Sequence, residues 1–192
     1  MKKLFTALLT ILFLTGCSSP SPESTVNSFF EALEKGDMDT AETYIDDDIS
    51  DTIGDSFASL DEIADEFKDA GADKDVQNKV KGLKNTLVKA AFQSHKVDKT
   101  DNTSDTEATV TVTVTGVTDE SMTDAMASID YSDFYSTIDS DTSEKELYNK
   151  AADFLDEQTE KALKSADTGE TKYKLTLEKK NAGWIIKTIE TE

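Results

Sequence analysis

Ala108-Thr109-Val110-Thr111-Val112-Thr113-Val114 alternates apolar and hydroxyl-bearing residues without a break. Successive side chains of a strand point to opposite faces, so this stretch reads as a half-buried strand with Ala and Val toward a core and Thr on the other side. The β-branched residues also suit a pleated surface. Gly116 marks a bulge or the end of that strand. Upstream, Gln93 to Val97 reads as a less regular strand, with the polar Lys99 to Asp105 as the loop that returns the chain antiparallel. Downstream, Tyr173, Leu175 and Leu177 alternate with Lys174 and Thr176, Asn181-Ala182-Gly183 supplies turn chemistry, and Trp184 to Ile189 forms a last strand. The two make a hairpin in which Ile185 and Ile186 follow Trp184, so its indole is expected to be shielded.

The period changes on either side of these strands. Ser21 and Pro22 read as N-cap and first helical residue, and Val26, Phe29, Phe30 and Leu33 then fall at i, i+3, i+4 and i+7 on one helical face. Gly36 ends this helix and Asp37 caps a short second one with Met38, Ala41, Tyr44 and Ile45 inward. Two further amphipathic helices carry Phe57, Leu60, Ile63, Ala64 and Phe67, then Val76, Val80, Leu83, Leu87 and Ala91, separated at Ala70-Gly71-Ala72-Asp73. Between Thr118 and Asp167 lie Met122, Ala125, Met126 and Ile129. A helix opened by the capping box Ser143-Glu144-Lys145-Glu146 follows, continued by Leu147, Ala151, Phe154, Leu155 and Leu163. Helices gathered on one face of an antiparallel sheet make the fold α+β.

The N-terminus has a different character. Lys2 and Lys3 precede an uncharged apolar run from Leu4 to Leu14, the layout of an export signal. The run is short of the ~20 residues that a spanning helix needs. Leu14-Thr15-Gly16-Cys17 resembles the lipobox of bacterial lipoproteins, which implies cleavage between Gly16 and Cys17 and a diacylglyceryl group on Cys17. Each acyl CH₂ buried in a bilayer contributes about 0.8 kcal/mol, so two chains hold a protein firmly. Ser18-Ser19-Pro20-Ser21-Pro22 then serves as a short linker.

Cys17 is the one cysteine, so no intrachain disulfide is available. The formal charge of −20 would become −22 once Lys2 and Lys3 left with the signal. Arginine is absent, and with it the guanidinium fork that best grips phosphate. Nucleic acid and anionic headgroups are therefore poor partners. The acid spread along the chain, densest at Asp46-Asp47-Asp48, means solubility and self-repulsion. The lysine-rich, arginine-free, cysteine-poor makeup points to a low-GC Gram-positive host.

Val26-Asn27-Ser28-Phe29-Phe30-Glu31-Ala32-Leu33-Glu34-Lys35-Gly36-Asp37-Met38-Asp39-Thr40-Ala41 resembles the opening of nuclear transport factor 2-like domains of bacterial lipoproteins. Lys179-Lys180-Asn181-Ala182-Gly183-Trp184-Ile185-Ile186 is similar to the last hairpin of that family. The resemblance implies two helices preceding a curved sheet, and some members use an Asp or His inside the cone for proton transfer or hydration.

The chemistry-bearing residues are few. His95, flanked by Ser94 and Lys96, reads as a solvent-facing strand residue with no second histidine to make a dyad. Asp101-Asn102-Thr103-Ser104-Asp105 alternates oxygen ligands as calcium loops do, but Thr106 stands at the glycine position and Val112 at the bidentate Glu position. Asp139-Ser140-Asp141 fails likewise, with Lys150 at its final position, so neither metal nor cofactor is expected. Met122, Met126, Tyr131, Phe134 and Tyr135 come together in the second insertion as a candidate binding surface, a mouth over the sheet, or else as core.

The resulting expectation is a signal peptide over 1–16, a lipidated linker over 17–22 and a single domain over 23–192. That domain is α+β, with N-terminal helices on a small curved antiparallel sheet of about four strands and helical insertions near 56–91 and 119–165. The protein would be exported, held by lipid at the outer face of the cell membrane, and bind a small apolar ligand or an exported protein partner without catalysis. Three alternatives remain: an enzyme of the nuclear transport factor 2-like kind using a buried carboxylate, a purely structural or immunity-type interaction protein, and a signal fragment with a pheromone role.

Overall fold

The computed structural model describes residues 20–46, 49, 65–181 and 183–192. The expected signal peptide with Gly16 and Cys17, and the residues Phe57, Leu60, Ile63 and Ala64 of the expected helix, lie outside them.

Helix α1 spans Pro22–Glu34. The Ser24 amide donates to Ser21 Oγ at 3.1 Å and the Ser21 amide donates to Ser24 Oγ at 2.8 Å, so two donors at the helix start are satisfied by a capping box. Gly36, at φ 68°, reverses the chain into α2, Met38–Glu42, where the Asp37 carboxylate accepts from the Thr40 amide at 3.1 Å. A Cβ on Gly36 would also lie 2.8 Å from the Asn85 carbonyl oxygen, so glycine is required there twice over. The chain beyond α2 attaches to the sheet. The Asp46 amide donates to the Ile186 carbonyl and the Ile186 amide to the Tyr44 carbonyl, each at 2.9 Å, making a parallel bridge.

After a helical turn at 65–69, α3 runs over Lys74–Ala91. Then come β1, Ser94–Asn102, and β2, Glu107–Val117. Helices α4, Asp119–Ala127, α5, Ser132–Ser136, and α6, Glu144–Ser165, precede the hairpin of β3, Thr168–Lys180, and β4, Gly183–Thr191. The sheet order is β1-β2-β3-β4, antiparallel throughout. The fold is α+β, with four strands and helices on one sheet face.

The alternation at Ala108 to Val114 sets the inner face. Ala108, Val110, Val112 and Val114 are buried and pair across the ladder with Leu177, Leu175, Tyr173 and Thr171. The α1 stripe Val26, Phe29, Phe30 and Leu33 packs on that face together with Val88, Trp184 and Ile186. Burial of each such large side chain favours folding by about 1.5–3 kcal/mol. Trp184 is buried, as its place in the hairpin led us to expect.

The structure alters three local readings. Strand β1 continues through Lys99–Asn102, where the sequence suggested a loop, because a bulge between Val97 and Lys99 breaks the period of two. Val97 and Thr100, three positions apart, therefore both face inward. A second bulge lets Ile186 and Ile189 do the same in β4. Gly116 neither bulges nor ends its strand. It pairs with Gly169, and a Cβ there would lie 1.9 Å from the Ala91 carbonyl oxygen, so its role is to let the end of α3 rest on β2. On α3 the buried residue near that end is Val88, with Leu87 only half-buried.

Candidate functional site

The helices do not close fully over the sheet. Between α1, the C-terminal turn of α3, the start of α4 and the inner face lies a cleft of about 550 Å³. Phe29, Phe30 and Leu33 of α1 reach it because the i, i+3, i+4 spacing that buries them also turns part of each side chain toward the gap. Leu87 and Ala91 are held above it by the Gly116 contact. Val114 and Val117 form the β2 wall, and Tyr173 and Ile189 the wall from the hairpin.

Among the described residues, polar side chains line the cleft on one side only. Thr171, Tyr173 and Thr191 lie together through the pairings of Tyr173 with Thr191 and of Thr171 with Val114, and Thr118 and Asp119 enter from the β2–α4 junction. The Thr118 hydroxyl already caps α4, accepting from the Ser121 amide at 3.2 Å. Tyr173 is half-buried. Burial first, and the Asp119 charge second, hold its phenol above the ordinary tyrosine range, so it stays a neutral O–H.

Met122 lines this cleft, whereas the other four residues of the suggested mouth lie elsewhere. Tyr131 and Phe134 gather on Phe154 of α6, with ring centroids 5.5 and 5.4 Å away, and Tyr135 rests against Phe134 at 5.6 Å. Met126 packs beside Phe154 against Ala125, Ile129 and Ala162. Tyr131 and Tyr135 remain 43% and 67% exposed, the large hydrophobic side chains most open to solvent among the described residues.

His95 is placed differently from its sequence reading. It points inward, its side chain only 11% exposed and its ring stacked on Phe30 at 5.4 Å. Nδ1 lies 2.7 Å from Glu34 Oε1 and Nε2 lies 2.9 Å from Asn27 Oδ1. The carboxylate can only accept, so Nδ1 donates, and the Asn27 amide can satisfy Nε2 in either orientation. Both nitrogens are thus occupied, which fits a tie between α1 and β1 and leaves none free for a substrate proton. The missed signal was on α1, where Asn27, Phe30 and Glu34 stand at i, i+3 and i+7.

Among the described residues no three His, Cys, Asp or Glu side chains converge as a metal would require. At Asp139-Ser140-Asp141, the Asp139 carboxylate accepts from the Asp141 amide and the Thr142 hydroxyl, each at 3.0 Å, so it serves a turn leading into α6. No described helix is long and apolar enough to cross a membrane. No protein family, curated protein or solved structure matches the chain.

Proposed function

We propose that this is an exported lipoprotein whose domain, resembling nuclear transport factor 2-like modules, binds a small apolar molecule in the cleft between α1, α3 and the sheet. The observation that carries the reading is the cleft of about 550 Å³, walled mainly by Phe, Leu, Val and Ile, with its few polar groups on one side. Ligand sites are of this size and makeup. The basic-then-apolar N-terminus and Leu14-Thr15-Gly16-Cys17 support export and anchoring at the outer face of the membrane. An enzyme would ask for a carboxylate withdrawn from water, whereas Asp119, the one acid lining the cleft among the described residues, is exposed.

A photoreactive arylalkyl probe, crosslinked to the full chain in membranes and mapped by peptide mass spectrometry, tests this. Labelling is expected on the Met122 and Tyr173 peptides, and Leu87→Trp, which fills the gap from the half-buried face of α3, should reduce it at least fivefold. Equal labelling of both proteins would reject the cleft as the site. The second reading, a protein partner seated on Tyr131 and Tyr135, is favoured by their exposure. Replacing those two by Ser should leave the cleft label unchanged and abolish only partner capture.

A further inference from the structure

The reading of the cleft as a ligand site can be carried further, to the charge its ligand bears. We propose that the cleft selects amphiphiles whose head group is an ammonium or a neutral hydrogen-bonding group, seated at Asp119 and Tyr173, and rejects carboxylates. The inference rests on the cleft reading and deepens it.

The polar side of the cleft consists of Thr118, Asp119, Thr171, Tyr173 and Thr191. Among the described residues no lysine lines the cleft, and the chain has no arginine, so no cationic side chain there pairs with an anionic head. The lysines nearest in sequence on β3, Lys172 and Lys174, alternate with Thr171 and Tyr173 and so stand on the opposite face of the sheet. The Tyr173 hydroxyl has no hydrogen-bond partner among the described residues, so it is available to a ligand. It can accept from an ammonium or donate to an alcohol oxygen. Asp119 and Tyr173 both line the polar side of the cleft, so a head group seated there is offered a carboxylate and a phenol together.

Two opposing effects set the size of the preference. Asp119 is in the first turn of α4, where the helix dipole offsets part of its charge, and it is open to solvent, where screening is strong. An exposed ion pair of this kind changes affinity by about two- to fivefold. Repulsion of a carboxylate adds in the same direction, so ammonium over carboxylate should amount to about tenfold.

The experiment uses the full chain in nanodiscs of neutral lipid and competes the photoreactive probe with 3-phenylpropylammonium, 3-phenylpropanol and 3-phenylpropanoate. Competition is expected to weaken in that order. Asp119→Asn should cost the ammonium compound about two- to fivefold and leave the alcohol unchanged. Glu120→Gln removes the same unit of charge one residue away and outside the cleft lining, so it controls for the general acidity of the surface. Propanoate competing as well as the ammonium, or Asp119→Asn and Glu120→Gln acting alike, would overturn the inference while leaving the cleft as a binding site. Absence of any labelling in the cleft would instead remove the reading on which it rests.

Discussion

The helices that lie on the sheet and the helices that lie outside them are held by different means. Where α1 meets the strands, Val26, Phe29, Phe30 and Leu33 interlock with Val110, Val112, Leu175, Leu177 and Ile186 in one continuous buried cluster. Where α3 meets α6, the buried set is Ala72, Val76, Val80 and Ala152, with Phe67 and Tyr148 half-buried at its border. The cluster around Ala125, Ile129 and Ala162 is of the same kind. Small side chains bury little area, so the outer layer gains less from burial and depends more on its helix ends. Its cross-helix ion pairs, Lys79 with Asp153 and Lys145 with Asp73, are solvent-exposed on both partners and contribute little. The difference predicts that the sheet layer sets global stability and that the outer layer opens by itself.

The largest expected effect belongs to the sheet layer. Phe30 is 1% exposed and touches Phe29, Phe92, His95 and Tyr173, so Phe30→Ala should cost about 3–5 kcal/mol in urea unfolding. Phe154→Ala, at the half-buried centre of the outer aromatic group, should cost less than half as much. Equal losses would dissolve the contrast between the layers.

A smaller effect sharpens it. The Glu146 amide donates to Ser143 Oγ at 3.3 Å and the Ser143 amide donates to the Glu146 carboxylate at 3.1 Å. Ser143→Ala should therefore cost about 0.5–2 kcal/mol. The loss should appear as faster hydrogen exchange in the first turns of α6, with strand amides of β2 and β3 unchanged. Matching acceleration in the strands would mean that the two layers open together.

The smallest effect is a pH dependence confined to the sheet edge. Asp46 accepts from Lys180 at 2.6 Å and from Lys187 at 2.7 Å, and these hydrogen bonds hold its carboxyl well below the usual carboxylate range. A carboxyl depressed by folding stabilises above its unfolded value, near 3.9, and loses that contribution as pH falls toward the folded value. Asp46→Asn should accordingly lower the melting temperature at pH 7, and the gap from the parent should narrow progressively below about pH 4. A gap independent of pH would show that the carboxylate charge at the Tyr44–Asp46 bridge is idle.

How far these features were legible follows from the residues themselves. The stripe of α1, its Ser21 cap, the capping box of α6 and the alternation of β2 lie in local spacing, and each element formed where that spacing placed it. Bulges left no such trace. Lys99 to Asn102 look like a loop because Val97 and Thr100 are three apart, and only pairing with Ala108 to Thr111 shows them to be strand. Gly116 gave a correct signal with the wrong cause, since the Ala91 carbonyl that demands it arrives from the end of α3.

The candidate site was less legible than the fold. Met122 could be nominated from its apolar helix, but its separation from Tyr131, Phe134 and Tyr135 depends on how α4 and α6 cross, which no local pattern encodes. His95 was assigned to solvent from its neighbours Ser94 and Lys96, although strand alternation sends those two away from it. What the sequence determined by itself was which faces are apolar, where helices begin and end, and the excess of acid without arginine. Those properties reside in residue type and spacing over a few turns. The tertiary structure alone decided that α1 would occupy both ring nitrogens of His95 and that α3 would stop against Gly116. It also decided that a cleft would remain beside Tyr173 and Asp119, because each of these depends on contacts between segments far apart in the chain.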